Sequence, residues 1–114
     1  MKKYPQQIKH QLHELAMIAT EAELFLQLTE LAEKFESWKQ DAISSRELRH
    51  ILLTYVDGPS RELFRRNREL PDDIVVADAI VRGLLNKDDI AEELWPYLQN
   101  GVQFYQDVAT KNRE

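Results

Sequence analysis

Apolar residues along this chain recur at intervals of three and four, the period of a helix. Ile8, Leu12, Leu15, Ala19 and Ala22 form one stripe. A second runs Leu24, Leu28, Leu31, Phe35, Trp38, Ala42, spaced 4-3-4-3-4. The phase slips between them near Thr20, where Thr20-Glu21-Ala22-Glu23 has the form of a capping box. The segment 6–41 therefore reads as two helices meeting at residues 19–20, or as one helix of about 36 residues and ~54 Å. A single rod of that length would favour a dimer. Trp38 sits on the second stripe, so packing in a core or a coiled coil is its expected role.

Ser44 and Glu47 form another capping box, followed by Leu48, Ile51, Leu52 and Tyr55 on one face. Asp57-Gly58-Pro59-Ser60 should stop that helix, because glycine suits a left-handed cap and proline cannot continue the ladder. A short helix is expected through Glu69, ended by Pro71. Asp72 and Asp73 then put negative charge where a new helix favours it. That helix, "IVVADAIVRGLL", is apolar nearly all round, which fits a buried central helix or a subunit interface. Gly83 would let a neighbour approach closely. Asp88 is expected to start an acidic helix that Pro96, next to Trp95, kinks or ends. Leu98, Val102, Tyr105 and Val108 carry a last amphipathic helix. No segment alternates with period two. The expected fold is all-α: a compact bundle of about six helices in one domain, 1–114, with a long N-terminal helix or helix pair and a dimeric assembly.

Composition narrows the function. A hydrophobic fraction of 43% and a charged fraction of 31% are those of an ordinary globular protein. The 114 residues contain no cysteine, which removes disulfides, thiol nucleophiles and Cys-type zinc sites. The N-terminal "MKKYPQQIKHQLHEL" is basic but lacks the apolar run of a signal peptide. The longest apolar stretch carries Asp78 and Arg82 and falls short of the ~20 residues that cross a bilayer. A soluble, cytoplasmic protein without membrane contact is expected.

Charge is segregated. The net charge is −5, yet Arg61, Arg65, Arg66 and Arg68 crowd into one short stretch. Residues 1–43 sum to −2 (five Lys, seven acids), 44–70 to +2 (six Arg, four acids) and 71–114 to −5 (four basic, nine acidic). Arg46 and Arg49 belong to the positive middle. On a helix, Arg61, Arg65 and Arg68 fall within roughly 60° of one another. Ser60, Leu63, Phe64, Asn67 and Leu70 would form the buried side, with Glu62–Arg66 and Arg65–Glu69 as i,i+4 pairs. The arginines could serve internal pairing with Asp72, Asp73, Asp88, Asp89, Glu92 and Glu93, within a subunit or across a dimer. They could instead bind an anion or an acidic partner protein.

The stretch 46–69 also outlines a helix-turn-helix, whose second helix would offer these arginines to DNA. Asp57 and Pro59 beside the turn glycine, Glu62 and Glu69 beside the arginines, and the acidic total argue against it.

Metal and catalytic signals are sparse. Glu47-Leu48-Arg49-His50 is a Glu-x-x-His of the kind di-iron bundles use twice, but it occurs once. His10 and His13, one turn apart with Glu14 adjacent, are the other candidate ligands. No nucleophile elbow or glycine-rich phosphate loop exists. The expected function is a small non-enzymatic protein–protein interaction module, an adaptor, regulator or inhibitor without cofactor. A nucleic-acid-binding regulator and a metal-dependent helical-bundle enzyme are the alternatives.

Overall fold

The computed structural model describes residues 4–113; Met1–Lys3 and Glu114 lie outside it. Its elements are α1 (Gln6–Lys39), α2 (Ser45–Tyr55), a π-turn (Val56–Ser60), α3 (Arg61–Glu69), α4 (Asp72–Val81), 3₁₀ turns at Lys87–Asp89 and Glu92–Leu94, and α5 (Trp95–Arg113). No strand occurs among the described residues. The all-helical class is as the periodicity predicts.

The count is not. The expected stop at Asp57-Gly58-Pro59-Ser60 is overturned: α2, the π-turn and α3 follow without a break. Tyr55, Val56 and Arg61 are all right-handed helical, and Gly58 is not among the residues with positive φ. A π-turn widens the ladder locally and so tolerates Pro59, which has no N–H to give and crowds the preceding turn. The acidic helix expected from Asp88 is likewise absent. Asn86 Oδ1 accepts the Asp88 N–H at 3.0 Å, which fixes a 3₁₀ turn, and Ile90 leaves it in extended backbone. Pro96 does not kink a helix; it lies in the first turn of α5, where a missing N–H costs nothing. Counted as continuous stretches, the described residues hold four helices rather than about six.

α1 is one helix of 34 residues. Thr20 does not cap: its Oγ1 donates back to the Ala16 carbonyl at 2.9 Å. α1 ends in a Schellman motif. Ala42 N–H reaches Ser37 O at 2.9 Å and Asp41 N–H reaches Trp38 O at 3.1 Å, with Asp41 at φ 60°, the left-handed position usually taken by glycine or asparagine. α4 ends the same way, with Leu84 N–H on Ala79 O, Gly83 N–H on Ile80 O and Gly83 at φ 78°. Gly83 therefore serves a turn. A Cβ added there would meet nothing within 4 Å, so its expected role in close packing is corrected. The close approach is at Gly101, where a Cβ would lie 2.8 Å from that of Ala77.

The chain divides into two compact units: Met1–Thr20 with Leu70–Glu114, and Glu21–Glu69. The first holds a continuous apolar core. Ile8, Leu12, Ala16 and Ala19 of α1 join Val76, Ala77, Ala79 and Ile80 of α4, Leu85, Ile90 and Leu94 of the connection, and Leu98 and Val102 of α5. Every residue of α4 is at least half-buried in character, none fully exposed, as expected of a central helix. Asp72 and Asp73 stand in its first turn behind Pro71. Asp73 Oδ2 accepts the Tyr4 hydroxyl at 2.7 Å, and the Tyr4 ring meets Tyr97 edge-on with centroids 4.8 Å apart.

Burial first, and then the bond to Asp73, push the Tyr4 phenol from its ordinary 10.0 up to about 12. The folded state thus holds this proton more tightly than the unfolded chain does. Its contribution to stability is complete below pH about 10 and is lost as pH rises towards 12. An alkaline titration followed by near-ultraviolet absorbance should show one late-ionising tyrosine that vanishes in Tyr4→Phe. A titration unchanged by that substitution would contradict the assignment.

Candidate partner-binding surface

The unit Glu21–Glu69 is built differently. Its buried side chains are Glu23, Leu48 and Leu63. Ser44 caps α2 as predicted, its Oγ accepting the Glu47 N–H at 3.0 Å. Trp38 does not enter a core: it is 36% exposed, lies edge-on to Phe35, and its Nε1 donates to Ser45 Oγ at 2.9 Å. Along α1 the predicted stripe is present but largely uncovered. Leu28, Phe35 and Trp38 of the stripe are exposed, as are Phe25, at 66%, and Leu26 outside it. Ala42 lies beyond the end of α1. On the flank of α1 that carries Gln27, Leu31 and Lys34, a hollow of about 210 Å³ is closed on its far side by Ile51, Thr54 and Tyr55. Leu53, Val56 and Phe64 add further exposed apolar area.

The arginine cluster resolves into three different situations. Arg65 is consumed by its neighbours. Its Nε donates to Glu62 Oε2 at 2.9 Å, its Nη2 to the other Glu62 oxygen, and its Nη1 to Glu69 Oε2 at 2.6 Å. That fork holds the Glu62 carboxyl below its usual value, mainly through the hydrogen bond, and raises Arg65 further. Arg66 turns inward. The expected Glu62–Arg66 pair is replaced by one to Glu23, with Arg66 Nη2 2.6 Å from Glu23 Oε2. Arg61 makes a 3.5 Å contact with Asp57, both side chains well exposed. Arg68 is exposed and makes no ion pair among the described residues. Three of the six acids expected to pair with these arginines have other partners: Asp73 takes Tyr4, Asp72 takes His13 and Glu93 takes Gln11.

Helix α3 turns Leu63 and Asn67 inward as expected and differs at Phe64. Leu63 is buried, but Phe64 is 48% exposed and Leu70 37%. At about 100° per residue, Arg61, Phe64 and Arg68 share one ~60° sector. The outward patch is an aromatic ring flanked by two guanidinium groups. Aromatic residues and arginine are the side chains that most often carry binding energy at interfaces. Sequence reasoning missed Phe64. The signal was there in its i,i+4 relation to Arg68 and i,i+3 relation to Arg61.

The metal candidates are not brought together. His10 Nε2 lies 3.1 Å from Glu14, and His13 Nδ1 lies 3.1 Å from Asp72. The Glu47 carboxylate accepts from Ser44 Oγ at 3.4 Å, and His50 lines an open depression with Arg46 and Glu47. Among the described residues no three His, Cys, Asp or Glu are placed to hold a metal ion. Nor is any helix long and apolar enough to cross a membrane. The four-residue turn on which a helix-turn-helix depends is also absent, since the chain stays helical through Ser60.

Comparison with family models, with curated proteins and with solved structures gave no match.

Proposed function

We propose that this chain is a small, non-enzymatic, cytoplasmic interaction module, an adaptor, regulator or inhibitor that acts by presenting a surface to another protein and to its own copies. One observation carries the reading. The unit Glu21–Glu69 buries three side chains and exposes eight large apolar ones, Phe25, Leu26, Leu28, Phe35, Trp38, Leu53, Val56 and Phe64. Burying such groups stabilises by roughly 1.5–3 kcal/mol each when complete, and a helical surface that leaves them in water gains that energy only from a partner. The patch Arg61–Phe64–Arg68 supplies the chemistry of recognition. The ring is the anchor, and the flanking cations favour a partner segment with carboxylates on either side of an apolar residue.

The test is affinity purification of the intact protein from its host, with and without nuclease, beside the triple variant Arg61→Ala, Phe64→Ala, Arg68→Ala. A protein partner should survive nuclease and fall by about tenfold or more in the variant, the loss typical of removing an interface anchor. Equal recovery by wild type and variant would remove the patch from the account. Recovery of nucleic acid alone, released by nuclease or salt, would replace the reading with a nucleic-acid one.

A further inference from the structure

Within the unit Glu21–Glu69, α1 leaves one face open. Taking about 100° per residue, Glu21, Leu24, Phe25, Leu28, Ala32, Phe35 and Lys39 lie within an arc of about 100°. Leu24 is half-buried and the rest are exposed. The hollow lined by Gln27, Leu31, Lys34, Ile51 and Tyr55 opens beside the Leu24 edge of this arc, and the arc itself stays largely exposed within the unit.

Leu24 apart, whose counterpart is Glu36, the arc is self-complementary about its midpoint. Glu21 and Lys39 stand nine positions either side of residue 30, Phe25 and Phe35 five, and Leu28 and Ala32 two. Glu21 and Lys39 also share nearly the same angle around the helix, because eighteen residues make five whole turns. Laid against a second copy in the antiparallel sense, the face therefore sets Glu21 beside Lys39 of that copy at both ends. Phe25 comes level with Phe35 of the second copy, and the large Leu28 meets the small Ala32. A parallel arrangement would instead set Glu21 beside Glu21 and Lys39 beside Lys39. Lys39 is exposed, and among the described residues its one ion pair is a loose 3.8 Å surface contact with Glu36.

We infer that this face seats a second copy of the same chain, packed antiparallel about a twofold axis level with residue 30. The inference rests on the interaction-module reading but uses a different surface from the α3 patch. A twofold contact is isologous, each copy offering the same patch, which is the property that the paired positions display. The apolar centre holds the copies together. The terminal charge pairs set their direction, as flanking charges do in paired helices generally.

Sedimentation over micromolar to hundred-micromolar protein tests this, with circular dichroism to verify folding. Wild type should form dimers, and Leu28→Asp, at a 48% exposed position, should be a folded monomer. Glu21→Lys and Lys39→Glu should each weaken the dimer by about tenfold, since each turns two attractive contacts into repulsive ones. Combined, the two reversals restore opposite charges and should bring dimerisation back to within about threefold of wild type. A wild type that stays monomeric overturns the inference, as does a double reversal no better than the single ones. A monomeric wild type that still captures a protein partner would leave the module reading standing without the dimer, and a monomeric wild type that captures none would remove both.

Discussion

Replacing Gly101 by alanine is expected to destabilise this protein by about 1–3 kcal/mol, the usual cost of overpacking a filled core. At most helix-interior positions the same change gains roughly 1 kcal/mol, because glycine loses more backbone freedom on folding and alanine is the best helix former. The sign inverts here for a geometric reason. The new Cβ would stand 2.8 Å from Ala77 Cβ, where carbon atoms rest at about 3.5–4.0 Å. Neither group can rotate away, since each is the first atom of its side chain. Relief requires α4 and α5 to separate. Val76 and Leu98 beside the contact are at 0% exposure, so separation opens gaps in the densest part of the core. Urea titration should show a lowered midpoint at unchanged slope. Ala77→Gly in the Gly101→Ala background removes the clash and should recover most of the loss, giving a coupling of about 1 kcal/mol or more. A raised midpoint in the single variant would mean that the two helices stand further apart than the structure places them.

Gly101 was silent in the sequence, and the reason applies to other elements. A close approach is decided by the helix on the other side. Nothing within "LQNGVQF" marks that Ala77 lies opposite. Local rules worked where the cause was local. Ser44 and Glu47 capped α2, and Pro71-Asp72-Asp73 started α4, because the bonds concerned span three or four residues. The same rules misread Gly58-Pro59. Both residues usually end helices, but the π-turn absorbs them inside one. On α3 the inward side at Leu63 and Asn67 was legible, but Phe64 and Arg66 exchange places for a long-range reason. Arg66 leaves its expected partner Glu62 for Glu23, 43 positions away. That contact draws the 63–66–67 side inward and turns Phe64 out. The charge layout was legible, and so was the heptad-spaced stripe. Its exposure was not, because periodicity says which residues share a face and not whether anything covers it.

Glu23→Ala is the second substitution expected to have a large effect, about 2–3 kcal/mol of destabilisation. Breaking a buried ion pair by removing one partner typically costs about 3–5 kcal/mol, because a charge is left in a poor medium. Glu23 meets that condition at 7% exposure. Arg66 meets it only in part, its side chain being 30% exposed, so access to water lowers the figure. Replacing both, as Glu23→Leu with Arg66→Met, removes the charges of this pair together and should recover part of that loss. Arg61→Ala and Arg68→Ala, on the open side of α3, should leave the denaturation midpoint close to that of the native chain. The comparison separates the arginines by role. Four crowd into eight positions, but one anchors α3 to α1 through a buried carboxylate, one is locked between Glu62 and Glu69, and two flank Phe64 at the surface. If Glu23→Ala instead proved harmless, Arg66 would not be needed for the fold.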